Sequence, residues 1–501
     1  MNISEKNVWY ALATFHQPGE EGYQNRNRLL WNRWVSRCFD EETKEAILVR
    51  RARTQDIIEN ELEPLSVLEM ASVLEELKVR GFTDQELQCL DLVNASDRQH
   101  FDFGSCTFAS DVNLNNFCFP LRANFDQSVF LREFVANGAY FHDYGSFDGC
   151  TFHAHAHIGW AYFEKYGPFQ NCDFQRYATF SGTVFQGGVD FSGSTISGHV
   201  DFDHVEFHES ARFDRVNFCD RANFYKACFK RAAFRNARFA DSADFDLSTF
   251  TAEADFFGTK FCCSGRGPMN LHYRMREREH EDRHDQPALA ASFRGSRFQK
   301  DAGFENTEFA ASSSFKGASF HLQPPHFFGA VLHQQMEWRG VTWPEAKLIE
   351  NAGSFVDAYA CLKLEMDRLK RHEDELNFFV LELQAKRILS GPLRGAPIAI
   401  FSWVADCGRS FARPLALLVL TWVAFVPVYF GMQGWTQLWS AVSLSLASTF
   451  GVLGFRRELL PASVLDQVTG CAKILSGVQT LLGAILLFLI GLSLRNRFRM
   501  K

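Results

Sequence analysis

Phenylalanine recurs in this chain on a beat that neither a helix nor a single strand can supply. From Phe103, alternate steps of five and six residues land on Phe108, Leu114, Phe119, Phe125, Phe130, Ala136, Phe141, Phe147, Phe152, Ile158, Phe163, Phe169 and Phe174. The walk continues through Phe180, Phe185, Phe191, Ile196, Phe202, Phe207, Phe213, Phe218, Phe224 and Phe229. One residue is dropped across Phe229, Phe234 and Phe239. Phe245, Phe250, Phe256 and Phe261 then restore the beat, and a second array runs from Phe293 to Phe320. Helices repeat every 3.6 residues and strands every two. A five-to-six beat predicts a solenoid in which each step is one face, with an inward apolar residue and a turn after it. The 52 phenylalanines, against 10 Trp and 11 Tyr, are the compositional trace of that one position.

The residue before the Phe is often Asp or Asn, and the one before that is small, as in Ala123-Asn124-Phe125, Ala222-Asn223-Phe224, Ala243-Asp244-Phe245 and Ala254-Asp255-Phe256. This pattern resembles the pentapeptide-repeat family, and the resemblance implies a right-handed quadrilateral β-helix over roughly residues 101–335. The departure is the alternating extra residue, which predicts a bulge on one face of each pair. With four faces per coil at the inter-strand spacing, the rod is expected to have on the order of nine coils and about 45 Å of length. Its open ends need capping.

Residues 1–100 predict a helical cap, with helices over Asn27–Trp34 and Leu65–Arg80. A charged insertion, 264–288, interrupts the array. Residues 345–392 predict one long amphipathic connecting helix, for Ala352–Leu389 holds apolar residues at helical spacing with no breaker. The 13 cysteines are scattered, and Cys106, Cys150 and Cys172 each stand two residues before a periodic Phe. They read as reduced core residues of a cytosolic domain. No basic, apolar, small-residue leader opens the chain.

Residues 393–501 predict a transmembrane domain. Two apolar runs, about 414–431 and 473–494, can each cross a hydrocarbon core of about 30 Å. Arg409 and Arg413 precede the first, and Arg495, Arg497 and Arg499 follow the second. The positive-inside rule therefore predicts a multi-pass protein of the inner (cytoplasmic) membrane with both termini cytoplasmic. Arg394–Cys407 is expected to lie at the interface as a short amphipathic helix.

Between the spans, residues 435–455 are apolar but rich in Ser and Thr, and end in Thr449-Phe450-Gly451-Val452-Leu453-Gly454. A third crossing would place the basic tail outside, so a re-entrant segment is the expectation, the alternative being an interfacial loop of a plain hairpin anchor. Span, re-entrant loop, span resembles two-helix tetrameric cation channels. That resemblance implies a pore loop at Thr449–Gly454, with Gly483 and Gly491 allowing close helix approach or bending. Here Val452 and Leu453 separate the two glycines, which departs from the potassium-filter pattern.

Other constellations are weaker. His153, His155 and His157 alternate and could ligate a metal, but the structural reading is an exposed corner; His280, His284, Cys262 and Cys263 are similar. Glu206 and Glu209 read as a solvated face. With no nucleotide loop, catalytic triad pattern or HExxH helix, neither an enzyme nor a cofactor is expected. A net charge of −7 does not argue for nucleic acid. Soluble rods that mimic DNA are strongly acidic, whereas Arg212, Arg215, Arg221, Lys226, Lys230, Arg231, Arg235 and Arg238 make one stretch basic. The expected partners are the lipid bilayer, further copies of the chain (a tetramer if pore-like) and an unidentified protein on the solenoid. The expected function is an oligomeric, channel-like membrane protein with a sensing or scaffolding solenoid; the alternative is an anchored binding platform that conducts nothing, and a third reading is a DNA-mimicking topoisomerase inhibitor, against which the basic stretch argues.

Overall fold

The computed structural model describes residues 7–54, 58–90, 100–262, 289–433, 438–454 and 470–499. The charged insertion and the return from the pore-loop segment, 455–469, lie outside the described residues. The chain divides into two compact units, Met1–Pro344 and Glu345–Lys501.

The first unit is a four-sided parallel β-solenoid. Two-residue strands pair with the coil above in constant register: Phe101 with Ala123 and Ala123 with Gly145. Two faces each stack nine strands. The periodic rings lie on one another up the axis, as Phe125 on Phe147 at 4.8 Å and Phe224 on Phe245 at 4.7 Å. Burying each such ring stabilises the fold by roughly 1.5–3 kcal/mol. Where the walk lands on Ala136, the large side chain has moved two positions back. Phe134 fills the space, 4.7 Å from Phe130.

The extra residue of each pair makes no bulge. Five-residue steps close with a β-turn, as in Phe117 N–H to Leu114 O (3.1 Å) and Ser128 N–H to Phe125 O (3.1 Å). The third turn residue takes positive φ at Ser105, Asn116, Gln127, Gly138, Gly149 and Trp160, each eleven residues on from the last. Six-residue steps turn through an open bend, and the additional residue sits there, at the corner, leaving every face flat. The irregularity falls instead where the residue is dropped. There the strand runs on round the corner, in Glu206–Arg212 and Cys228–Ala233, with a register shift between Phe207 and Ser210.

Cys150 and Cys172 are buried, and their thiols donate to the carbonyls of Phe125 (2.9 Å) and Phe147 (3.0 Å). Ser128 and Ser194 do the same to Phe103 and Phe169, both at 2.7 Å. The position wants a small donor to satisfy a turn carbonyl, and thiol and hydroxyl serve alike. Burial pushes both thiols well up, which keeps them unreactive.

Helices α1 (Val8–Ala13), α2 (Tyr23–Val35), α3 (Glu41–Thr54), α4 (Val67–Val79) and α5 (Asp84–Leu87) form the N-terminal cap. Trp31 of α2 covers the first coil, 5.3 Å from Phe101 and 5.4 Å from Phe119. Its indole N–H and the Asn32 amide take up otherwise open strand groups. Trp31 donates to Cys118 O (2.8 Å), and Asn32 accepts from Cys118 N–H (2.8 Å) while donating to Asn116 O (3.0 Å). At the other end, Trp338 stacks on Phe315 and Trp343 on Phe320, so the coil geometry runs past residue 335 to the Ser319–Thr342 bridge.

The second unit holds α6 (Ile349–Arg368), α7 (His372–Ala405), α8 (Ala412–Gln433), α9 (Leu438–Thr449) and α10 (Gly470–Arg499). The single connecting helix expected over 345–392 is a correction: α6 and α7 form an antiparallel hairpin. Lys370 takes φ 60°, with Arg371 N–H on Met366 O (2.9 Å) and Lys370 N–H on Asp367 O (3.0 Å). This is a Schellman stop with lysine where glycine usually stands, so no breaker residue advertises it. A second break stands at Gly391, whose φ of 73° and ψ of 178° are not helical, so α7 is two helices joined at a kink; the expected 392/393 boundary lies within two residues of that break, and Arg394–Cys407 falls largely on the second helix. Among the described residues three helical segments are long and apolar enough to cross a membrane by length and composition: His372–Gly408, which is broken at Gly391, and the two expected from sequence, Ala412–Met432 and Gly470–Phe498.

Candidate functional site

Helix α8 and α10 run antiparallel. Ser493 of α10 reaches Ser410 O (3.2 Å) just before α8, Asn496 reaches Gly408 O (3.3 Å), and Arg497 lies over the Phe411 ring. The two basic flanks therefore stand at the same end of the bundle. At the far end, Tyr429 of α8 meets Gln479 of α10.

Helix α9 nests between them. At 12 residues, about 18 Å, it is too short to cross a bilayer, which needs ~20 residues. Ser445 O–H donates to Trp422 O at the middle of α8 (2.6 Å), and Ala441 packs with Tyr429. Its last residue, Thr449, abuts Gly483, the fourteenth of α10's 30 residues. Phe450 then packs on the cluster of Val404, Leu418 and Leu486. Helix α9 thus enters from the Tyr429 end and stops partway along its neighbours.

A polar network holds it there. Tyr429 O–H donates to Gln479 Oε1 (2.7 Å). Gln479 Nε2 donates to Ser445 Oγ (2.9 Å), Ser445 O (3.1 Å) and Thr449 Oγ1 (2.9 Å), and Ser448 and Ser476 share a hydrogen bond of 2.8 Å. All these side chains are fully buried. Polar groups inside a spanning bundle persist only when partnered. The small residues Ala441, Ala447 and Ser448 let the helices approach closely.

Of the residues predicted for the pore loop, Thr449 faces into the bundle with its hydroxyl engaged. Gly451 lies against Thr480, whose methyl group would stand 3.1 Å from an added Cβ. Val452 (60 % exposed) and Leu453 (53 %) face outward, and Gly454 takes φ 84° with open space around it. Gly483 is a point of close helix approach, whereas Gly491 has no atom within 4 Å of an added Cβ. Sequence reasoning passed over Gln479, Ser445, Tyr429 and Ser476. The signal was Gln479 itself, an amide in the middle of an apolar span.

The solenoid surface is less concentrated. His153 pairs with Gln175 (2.8 Å), while His155 and His157 face Tyr177, so the three histidines do not converge. Among the described residues the ligand atoms that gather are those of Asp367, His372 and Glu375, at the α6–α7 turn. Half of the basic stretch is paired with carboxylates of neighbouring coils: Lys230 with Glu209 (2.5 Å), Arg235 with Asp255 (2.5 Å), Arg212 with Asp190 (3.8 Å) and Arg221 with Asp244 (3.9 Å).

Comparison with family models, with curated proteins and with solved structures finds no match to this chain. The chemistry of the residues is thus what any functional reading must rest on.

Proposed function

We propose that the protein is a channel-like, oligomeric membrane protein whose solenoid, of the pentapeptide-repeat kind, works as a cytosolic sensing or scaffolding surface. The observation that carries this reading is the end of α9. A half-helix stops beside the middle of α10, pinned by Gln479, and leaves the short segment Val452–Gly454 outward-facing at that depth. Past α9 the backbone makes one 3-10 turn, Gly451–Leu453, and ends in left-handed Gly454; backbone that leaves the α-helix at membrane depth is stable only against protein or a water-filled cavity. Several copies arranged around Val452–Gly454 would supply both. The carbonyl end of a helix carries partial negative charge, which favours a cation over an anion at the tip of α9. Basic flanks gathered at one end of the bundle support a cytosolic placement for that end.

A second reading follows from Thr449. Its hydroxyl is spent on Gln479 and not offered to a lumen, which suits an anchor that displays the solenoid and conducts nothing. Ion flux from liposomes holding the purified full-length protein separates the two readings. Cation flux that Gly454→Trp abolishes supports the pore. A cross-linking ladder that stops at monomer in detergent, with no flux, removes it in favour of the anchored scaffold.

A further inference from the structure

The second unit contains a cavity that neither the pore nor the anchor reading uses. It measures about 330 Å³ and is bounded by α6, α7 and α10. Its lining combines polar Lys363, Glu375, Arg495 and Asn496 with apolar Phe379, Phe401 and Leu492. The place of these residues in the chain is informative. Arg495 is the first charge after the apolar run of α10, and Leu492 is among the last residues of that run. Phe401 lies in the apolar continuation of α7. The cavity therefore lies at the point where the apolar run of α10 gives way to charge.

The charge left without a counter-ion in the lining is cationic. Glu382, 3 % exposed, is shared by Lys363 (2.6 Å) and Lys386 (2.5 Å). Glu375, which also lines the cavity, is held by His372 at 3.0 Å with Asp367 beside them. Among the described residues no carboxylate lies within ion-pairing distance of Arg495. A guanidinium presents several donors in a fork that matches phosphate oxygens. Arg409, Arg413 and Arg497 gather at the same end of the bundle and would concentrate anionic lipid around it.

We propose that this cavity binds the phosphate headgroup of an anionic phospholipid, with Arg495 and Lys363 on the phosphate and an acyl chain running along Phe401 and Leu492. A free phosphate shares the headgroup chemistry but would leave the apolar wall unused.

The test is native mass spectrometry of the full-length protein in neutral detergent, titrated with phosphatidylglycerol, with phosphatidylcholine or with inorganic phosphate. The expected result is retention of phosphatidylglycerol over phosphatidylcholine, undiminished by millimolar phosphate. Arg495→Gln is expected to weaken it about fivefold to tenfold, the worth of one basic contact, while Arg413→Gln, outside the cavity, weakens it markedly less. Lys363→Gln serves if Arg495→Gln does not fold, since Lys386 still neutralises Glu382. Equal retention of the two lipids overturns the proposal, as does equal weakening by Arg495→Gln and Arg413→Gln, which would mark diffuse surface charge. Full displacement by inorganic phosphate also overturns it, in favour of a small-anion site.

Discussion

Gly483 of α10 lies against the backbone of Thr449, so closely that a Cβ at Gly483 would stand 2.1 Å from the Thr449 carbonyl oxygen. Backbone cannot yield there as a flexible side chain could. Gly483→Ala should therefore push α9 away from α10 and destabilise the bundle by about 1–3 kcal/mol. Gly491→Ala, which meets nothing within 4 Å, should change stability by less than about 0.5 kcal/mol. Thermal unfolding in detergent compares the two, and equal midpoints would contradict the close approach.

Gln479 ties three helices through one amide. Gln479→Leu leaves the Tyr429 hydroxyl without its acceptor and Thr449 without its donor, at a cost of about 1–2 kcal/mol for interhelical hydrogen bonds in a membrane bundle. Tyr429→Phe should cost less, and the double variant should cost less than the sum, since the two changes remove one shared bond. Strict additivity in a double-mutant cycle would show that the network does not act as a unit.

The N-terminal cap contains a buried ion cluster. Glu61 stands between Arg28 (2.6 Å) and Arg51 (2.5 Å), all three 4 % exposed or less. Glu61→Gln removes the carboxylate that the two buried guanidinium groups share and should destabilise the cap by about 3–5 kcal/mol. Hydrogen exchange on the full chain should show the amides of α2 and the first coil losing protection while the central coils keep theirs. Unchanged exchange in α2 would mean the cluster is not needed to hold the cap.

Burial holds His157 below the ordinary histidine value; Glu133 opposes that shift and His155 adds to it. A histidine depressed in the fold takes its proton less readily there than in the unfolded chain. Its neutral form supports the fold fully above the unfolded value, about 6.5, and that support is lost as pH falls from there through the lower folded value. The solenoid should therefore lose stability as pH is lowered below about 6.5, and His157→Asn should flatten that slope. A slope unaltered by His157→Asn would assign the loss to other groups.

The solenoid was legible because its signal is redundant. Each inward Phe reports the same constraint, and an occasional failure such as Ala136 is outvoted by its neighbours. Its compensation by Phe134 was not legible, since which of two inward positions carries the bulk is settled only by the rings above and below. The corner position of the extra residue was also hidden. Spacing reports that a residue is added, while backbone φ and hydrogen bonding decide whether a turn or a strand absorbs it.

In the second unit the apolar runs and basic flanks were readable from composition, because transfer to hydrocarbon is nearly a sum over residues. The stop at Lys370 was not, because a Schellman turn lacking its glycine depends on α7 finding α6 to pack against. The same holds for Thr449. Its place in a Ser/Thr-rich apolar segment suggested a lining residue, and only the approach of Gln479 from a helix thirty residues away turned its hydroxyl into the bundle.

The sequence by itself determined the repeat, the reduced thiols in its core and the presence of helices apolar enough to span a membrane, since each follows from the periodicity or transfer energy of local residues. Tertiary structure alone decided where the helices break, how deep α9 reaches and which polar groups meet inside the bundle. Those outcomes depend on pairs of residues distant in the chain, whose contact energies no local pattern contains.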